Sequence, residues 1–199
     1  MKNIILGLAS ASLCALTPIL AFAGPYEDGV AAYDAENYEQ AYRLLKPLAG
    51  KHDGAAEYYL GVMYEYGNGI VQSDKQAIHW YKRSAEHGDP DGQYELGLAY
   101  YLGSTGVRES DKKAAKWFQK AADQGHIRAS SKLGLLYKLG DGVKQNTVKA
   151  VRLYTIAADN DDVEATAYLA ALYENGDGVD KDYGRAVKMY KKAALAGND

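Results

Sequence analysis

The chain has 199 residues with 23 Lys and Arg against 26 Asp and Glu, a net charge of −3. That balance argues against a nucleic-acid footprint, because phosphate binding needs a clustered excess of Lys and Arg. With 47% hydrophobic and 25% charged residues, the composition is that of a folded soluble protein of one or two domains.

The first element, residues 1–23, departs from this composition. Lys2 gives a positive start, Ile4 to Leu20 is almost wholly apolar, and Ala21-Phe22-Ala23 supplies a small-x-small cleavage pattern. This reads as a secretory signal peptide cut after Ala23, and it predicts a periplasmic or secreted protein. Ser10, Ser12 and Pro18 weaken the segment as a permanent span, so no stable membrane span is expected after cleavage. The sole cysteine, Cys14, follows Leu13 where lipid attachment would need a small residue. Loss of the leader removes Lys2 and Cys14, leaving 22 basic against 26 acidic residues and no thiol.

Residues 24–53 read as a helix pair. Val30 and Tyr33 mark a first helix, and Tyr38, Ala41, Leu44, Leu45 and Leu48 mark a second. Only 8 residues separate Tyr33 from Ala41, so the turn is short. The pair is suited to covering the open N-terminal end of a helical stack.

From residue 54 onward one unit is written four times, over 54–89, 90–126, 127–162 and 163–199. Leu60-Gly61, Leu96-Gly97 and Leu133-Gly134 recur, and the series ends in Leu169-Ala170, with steps of 36, 37 and 36 residues. Tyr64, Tyr100, Tyr137 and Tyr173 keep the same steps and are expected in the core. Such a period marks stacked supersecondary units that cannot bury their apolar faces alone. In the first unit Ala56, Leu60, Met63 and Tyr64 lie at helical spacing. Gly61 inside that stripe costs about 1 kcal/mol relative to alanine, which predicts close approach of a second helix.

Each first helix runs into a glycine pair: Gly67-Asn68-Gly69, Gly140-Asp141-Gly142 and Gly176-Asp177-Gly178. In the second unit Gly103-Ser104-Thr105-Gly106 is one residue longer. A phosphate cradle does not fit, since no strand precedes the glycines and no Gly-Lys-Ser/Thr accompanies them. Ser73, Ser110, Asn146 and Asp182 then occupy matching positions and predict N-caps. The second helices carry Ala77, Trp80, Tyr81 and Ala85, matched by Ala114, Trp117, Phe118 and Ala122, then by Ala150, Leu153, Tyr154 and Ala158, and by Ala186, Met189, Tyr190 and Ala194. Small and bulky positions alternate, which lets helices pack closely.

Ala-x-x-x-Leu-Gly-x-x-Tyr, Gly-x-Gly-Val and Ala-x-x-Trp-Tyr-x-x-x-Ala together resemble the Sel-1-like repeat, a relative of the tetratricopeptide repeat. The resemblance covers Gly54 to Asp199 and implies an all-α fold, a right-handed α-solenoid of antiparallel helix pairs that serves as a protein-binding adaptor. Residues 24–53 look like a helix pair of tetratricopeptide type. No matching cap follows the fourth repeat, which makes self-association through the C-terminal repeat a fair expectation.

Eighteen tyrosines against two phenylalanines is the most biased usage in the chain. If the first helices line the concave face, as in related repeats, Tyr58, Tyr66, Tyr94 and Tyr101 point into the groove or its edge. Interfaces favour tyrosine for its rigid area and polar tip. The expected partner is a protein or peptide, docking on the first two repeats.

His52, His87 and His126 fall at the ends of second helices, and their spacings of 35 and 39 residues are repeat spacings rather than those of metal ligands. They read as solvated turn residues. Asp159-Asn160-Asp161-Asp162 lacks the glycine and closing glutamate of a calcium loop. No cofactor, metal or catalytic group is expected. The reading is an exported interaction scaffold: an envelope adaptor, an inhibitor or immunity protein, or a host-directed protein. The alternative is a cell-wall-associated enzyme or peptidoglycan-binding module, β-lactamase-like by family analogy alone.

Overall fold

The computed structural model describes residues 24–197; residues 1–23, where the signal peptide is expected, and the last two residues lie outside them. Among the described residues ten helices succeed one another: α1 (Pro25–Asp34), α2 (Tyr38–Ala49), α3 (Gly54–Tyr66), α4 (Asp74–Glu86), α5 (Pro90–Leu102), α6 (Asp111–Asp123), α7 (Ile127–Leu139), α8 (Thr147–Asp159), α9 (Val163–Asn175) and α10 (Tyr183–Ala196). Each helix packs mainly on its neighbours in sequence. The result is an all-α solenoid, as the repeat period predicts.

Local chemistry sets the helix ends. Ser73, Ser110, Asn146 and Asp182 accept the amide hydrogen three residues on, capping α4, α6, α8 and α10. Asp53, Asp89, His126 and Asp162 do the same for α3, α5, α7 and α9. Such a cap contributes about 1 kcal/mol. Four times the N–H of the second helix's cap donates back to the framework tyrosine: Ser73 to the Tyr64 carbonyl, Ser110 to Tyr100, Asn146 to Tyr137 and Asp182 to Tyr173. The loop of every repeat is therefore tied shut by one backbone bond.

The helices of a pair meet where glycine faces an aromatic ring. A methyl group on Gly61 would stand 2.5 Å from the Tyr81 ring, and one on Gly97 would stand 2.6 Å from Phe118. Gly134 faces Tyr154 in the same way. In the fourth repeat Ala170 fills this place, and Tyr190 is 38% exposed where Tyr81, Phe118 and Tyr154 are 4% or less. Val187 and Tyr183, one and two turns earlier on α10, are exposed beside it.

Apolar burial falls into three clusters. One joins α1, α2 and α3 around Leu45, Leu60 and Met63. A second joins α5, α6 and α7 around Phe118, Leu133 and Leu136, and a third joins α8 and α9 around Tyr154, Leu169 and Leu172. The framework tyrosines lie at the margin of this core, which corrects the expectation that they are buried in it. Tyr64, Tyr100, Tyr137 and Tyr173 are half-buried. Lys113 covers the Tyr100 ring at 4.9 Å, Lys149 covers Tyr137 at 4.9 Å and Arg185 covers Tyr173 at 4.3 Å. A cation over the ring face takes the place of apolar neighbours.

The second glycine of each loop links one repeat to the one before. Gly69 abuts Tyr38 and Glu39 at the start of α2. Gly142 meets Asp111 and Lys112 at the start of α6, and Gly178 meets Thr147 and Val148 at the start of α8. The longer loop of the second repeat breaks the series. Its Gly106 has nothing within 4 Å, and Ser104 and Val107 bridge to each other instead.

Candidate functional site

Where that clasp is missing, the structure opens a cavity of about 220 Å³ between the first and second repeats. Its walls come from α3 (Glu65), α4 (Asp74, Ala77, Ile78, Tyr81) and α5 (Glu95, Leu98, Leu102). Three carboxylates and no basic side chain line it. A second hollow of about 280 Å³, among α6, α7 and α8, sets Asp123 against Lys149 and Arg152. Of the two, the first is the one whose charged lining is wholly acidic.

Tyr81 donates its phenolic hydrogen to Glu65 Oε2 at 2.5 Å. Burial, then the bond to Glu65, pushes the Tyr81 hydroxyl up, so it remains a donor. Burial first, and the Glu65 charge second, push the Glu95 carboxyl up to about 7, against the pull of Arg128 and His126. A carboxyl in apolar surroundings beside a like charge prefers its neutral form. A cation placed between Glu65 and Glu95 would reverse that preference. The chemistry on offer is a seat for an ammonium or guanidinium group with apolar walls for its methylene stem.

The expected tyrosines are divided by the structure. Tyr58 is half-buried, 5.5 Å from the Tyr59 ring and 6.0 Å from Tyr81, next to a wall residue of the acidic cavity but not in its lining. Tyr66 is exposed at the end of α3. Tyr101 is half-buried against the second cluster. Tyr94 is only 2% exposed, which corrects its placement on the groove. It stacks on His126 at 4.6 Å, lies 5.8 Å from Phe118 and is covered by Arg128 at 4.9 Å. His126 at the end of its own repeat and Arg128 of the next thus roof it over.

The first helices also touch one another across the repeats. Lys132 pairs with Glu164 at 2.8 Å, and Lys138 lies over Tyr168 at 5.4 Å. Glu65 and Glu95 belong to no motif in the sequence. The signal that could have found them is the extra residue in the second loop, next to two carboxylates on adjacent first helices.

The histidines also differ from expectation. His126 opens α7 as its N-cap, accepting from the Ala129 amide at 3.0 Å, and pairs with Asp91 at 3.2 Å. His52 and His87 come together, with ring centres 4.6 Å apart. Beneath them Glu57 is wholly buried, 2.5 Å from His87 Nδ1 and 2.7 Å from the Arg83 guanidinium.

Comparison with known proteins gives concordant results. The family model described as Sel1 repeat matches residues 54–89, 90–126, 127–162 and 163–198. A Sel1 repeat protein from Oxalobacter formigenes is 35% identical with a TM-score of 0.76, over 86% of this chain and 70% of that one. A protective antigen present in uropathogenic Escherichia coli strains is 32% identical with a TM-score of 0.76, over 87% of this chain and 38% of that one. A 67-residue stretch is 30% identical to chitin synthase regulatory factor 2 of Schizosaccharomyces pombe, spanning 34% of this chain and 13% of that protein. An immunity protein from Pseudomonas aeruginosa, 19% identical with a TM-score of 0.55, shares the fold.

Proposed function

The chain belongs to the Sel1 repeat family, and from that premise we propose that it is an exported scaffold that binds a protein partner through the groove of its first two repeats. The observation that carries this reading is the acidic cavity between those repeats. Its chemistry calls for a partner that presents a lysine or arginine side chain, with Tyr58 and Tyr66, on the same helix as Glu65, supplying aromatic area beside it. The partner's cation would sit between Glu65 and Glu95, and Glu95 would give up its proton as it binds near neutral pH. A desolvated charge pair of this kind contributes more to specificity than to bulk affinity. Export rests on the leader-like segment of residues 1–23, and places the partner in the periplasm or outside the cell.

The test is capture from an envelope extract with the purified protein, alongside the double variant Glu65→Gln and Glu95→Gln. A stoichiometric protein retained by the wild type and lost from the variant is the expected result. Capture unchanged by the two substitutions would move the docking surface elsewhere. Retention on purified cell wall with no protein captured, or turnover of nitrocefin, would favour a cell-wall-associated enzyme or binding module instead.

A further inference from the structure

We propose that His52, Glu57 and His87 form a binding site for a divalent transition-metal ion of the zinc class, at the junction between the N-terminal helix pair and the first repeat. The donor atoms of the three residues all lie within 4.8 Å of one another. Two imidazoles and one carboxylate are a donor set that suits zinc, with a fourth position left to water. His52 and His87 reach solvent while Glu57 is fully buried, so the site has a fixed floor and an open mouth.

The other repeats show that packing does not require these residues. Gln93 and Gln124 stand in the places of Glu57 and His87, and they meet as a neutral amide pair at 2.9 Å. Burying a carboxylate carries a desolvation cost that the amide pair avoids. His52 is equally out of place for its backbone. Its φ is 67°, and in the next two repeats the same position holds Gly88 and Gly125, with φ of 93° and 86°. In the last junction Asp161 takes this conformation at 61° and its carboxylate pairs with Lys192 at 2.7 Å. A side chain at this position is therefore used for its chemistry. Three departures from the repeat pattern converge on one point.

Arg83 completes the arrangement as an orienting residue. Its guanidinium holds Glu57 Oε1 at 2.7 Å and donates to the Ala49 carbonyl at 3.1 Å. This leaves Oε2 directed at His87. Metal-bound carboxylates are commonly fixed in this way by an outer partner. On binding, the metal ion takes the lone pairs of Glu57 and of both imidazoles. The metal replaces the hydrogen between Glu57 Oε2 and His87 Nδ1, which passes to Nε2 of the same ring or, where Nε2 already carries one, to solvent. The exposed imidazoles rotate by a small amount to close the tetrahedron, and the buried carboxylate stays where it is.

The experiment is titration of the untagged full chain with zinc chloride by calorimetry, with magnesium chloride as the control. Cobalt absorption in the visible range serves as a second readout, since four-coordinate cobalt gives a distinctive band. Two variants avoid the risk of misfolding because they copy other repeats: Glu57→Gln with His87→Gln recreates the Gln93–Gln124 pair, and His52→Gly recreates Gly88. The expected result is one zinc per chain, no magnesium binding, and at least about a 100-fold loss of zinc affinity in either variant with helical content retained. Absence of stoichiometric zinc binding by the wild type would overturn the site, as would zinc binding and a cobalt band that survive unchanged in the variants.

Discussion

At the scale of single residues, the acidic cavity has a consequence for stability. The folded protein holds the Glu95 proton more tightly than the unfolded chain, since the carboxyl moves from 4.5 to about 7. Its stabilising contribution is therefore complete below pH 4.5 and is lost as the pH rises through 7. Glutamine in its place is neutral throughout. We expect Glu95→Gln to be more stable than the wild type at pH 8 by on the order of 1–2 kcal/mol, allowing for solvent screening, and to match it at pH 4. Urea midpoints at the two pH values measure this, and a gain of equal size at both would contradict the account. The same cost explains the proposed role. A site that destabilises the empty protein at neutral pH gains when a cation fills it.

At the scale of elements, the clasp between repeats can be tested with two glycines in matching loops. Gly142 has φ of 67° and lies against the Asp111–Lys112 peptide, whereas Gly106 has φ of 79° and open space around it. Alanine meets a left-handed backbone penalty at both, but only at position 142 does its methyl group overlap the start of the previous helix. Gly142→Ala should cost about 2–3 kcal/mol and Gly106→Ala about 1 kcal/mol, read as shifts in denaturant midpoint. Equal losses would show that the clasp adds nothing. These elements mark the limit of what the sequence reveals. Caps, glycine turns and the leucine stripe are legible because a few neighbouring residues determine them. Tyr94 is not, because its burial depends on His126 and Arg128 at the junction with the following repeat, over 30 residues away. His52, Glu57 and His87 are hidden for a related reason. The 35 residues between the two histidines are close to the repeat step itself, and stacking alone brings them together. Columns aligned across repeats would expose them: a histidine among glycines, and a charged pair where amides stand.

At the scale of the whole molecule, contacts run only between neighbours, so the stability of one junction is nearly independent of the next. The three apolar clusters leave the boundary between the first and second repeats as the place where none is continuous. That boundary is also where the second loop fails to touch the preceding helix. Amide hydrogens in the loop 103–109 and the first turn of α4 should exchange faster than those of the matching segments around Gly142 and α6, as measured by hydrogen–deuterium exchange. Protection equal at the two sites would deny the difference. If exchange is faster there, the chain behaves in mechanical terms as two rods that meet at a hinge, one comprising α1 to α4 and the other α5 to α10. The cavity would then sit in the crook of that hinge, and whatever fills it would act as a wedge between the rods. A few atoms of ligand at the crook would thereby set the position of surfaces several repeats away.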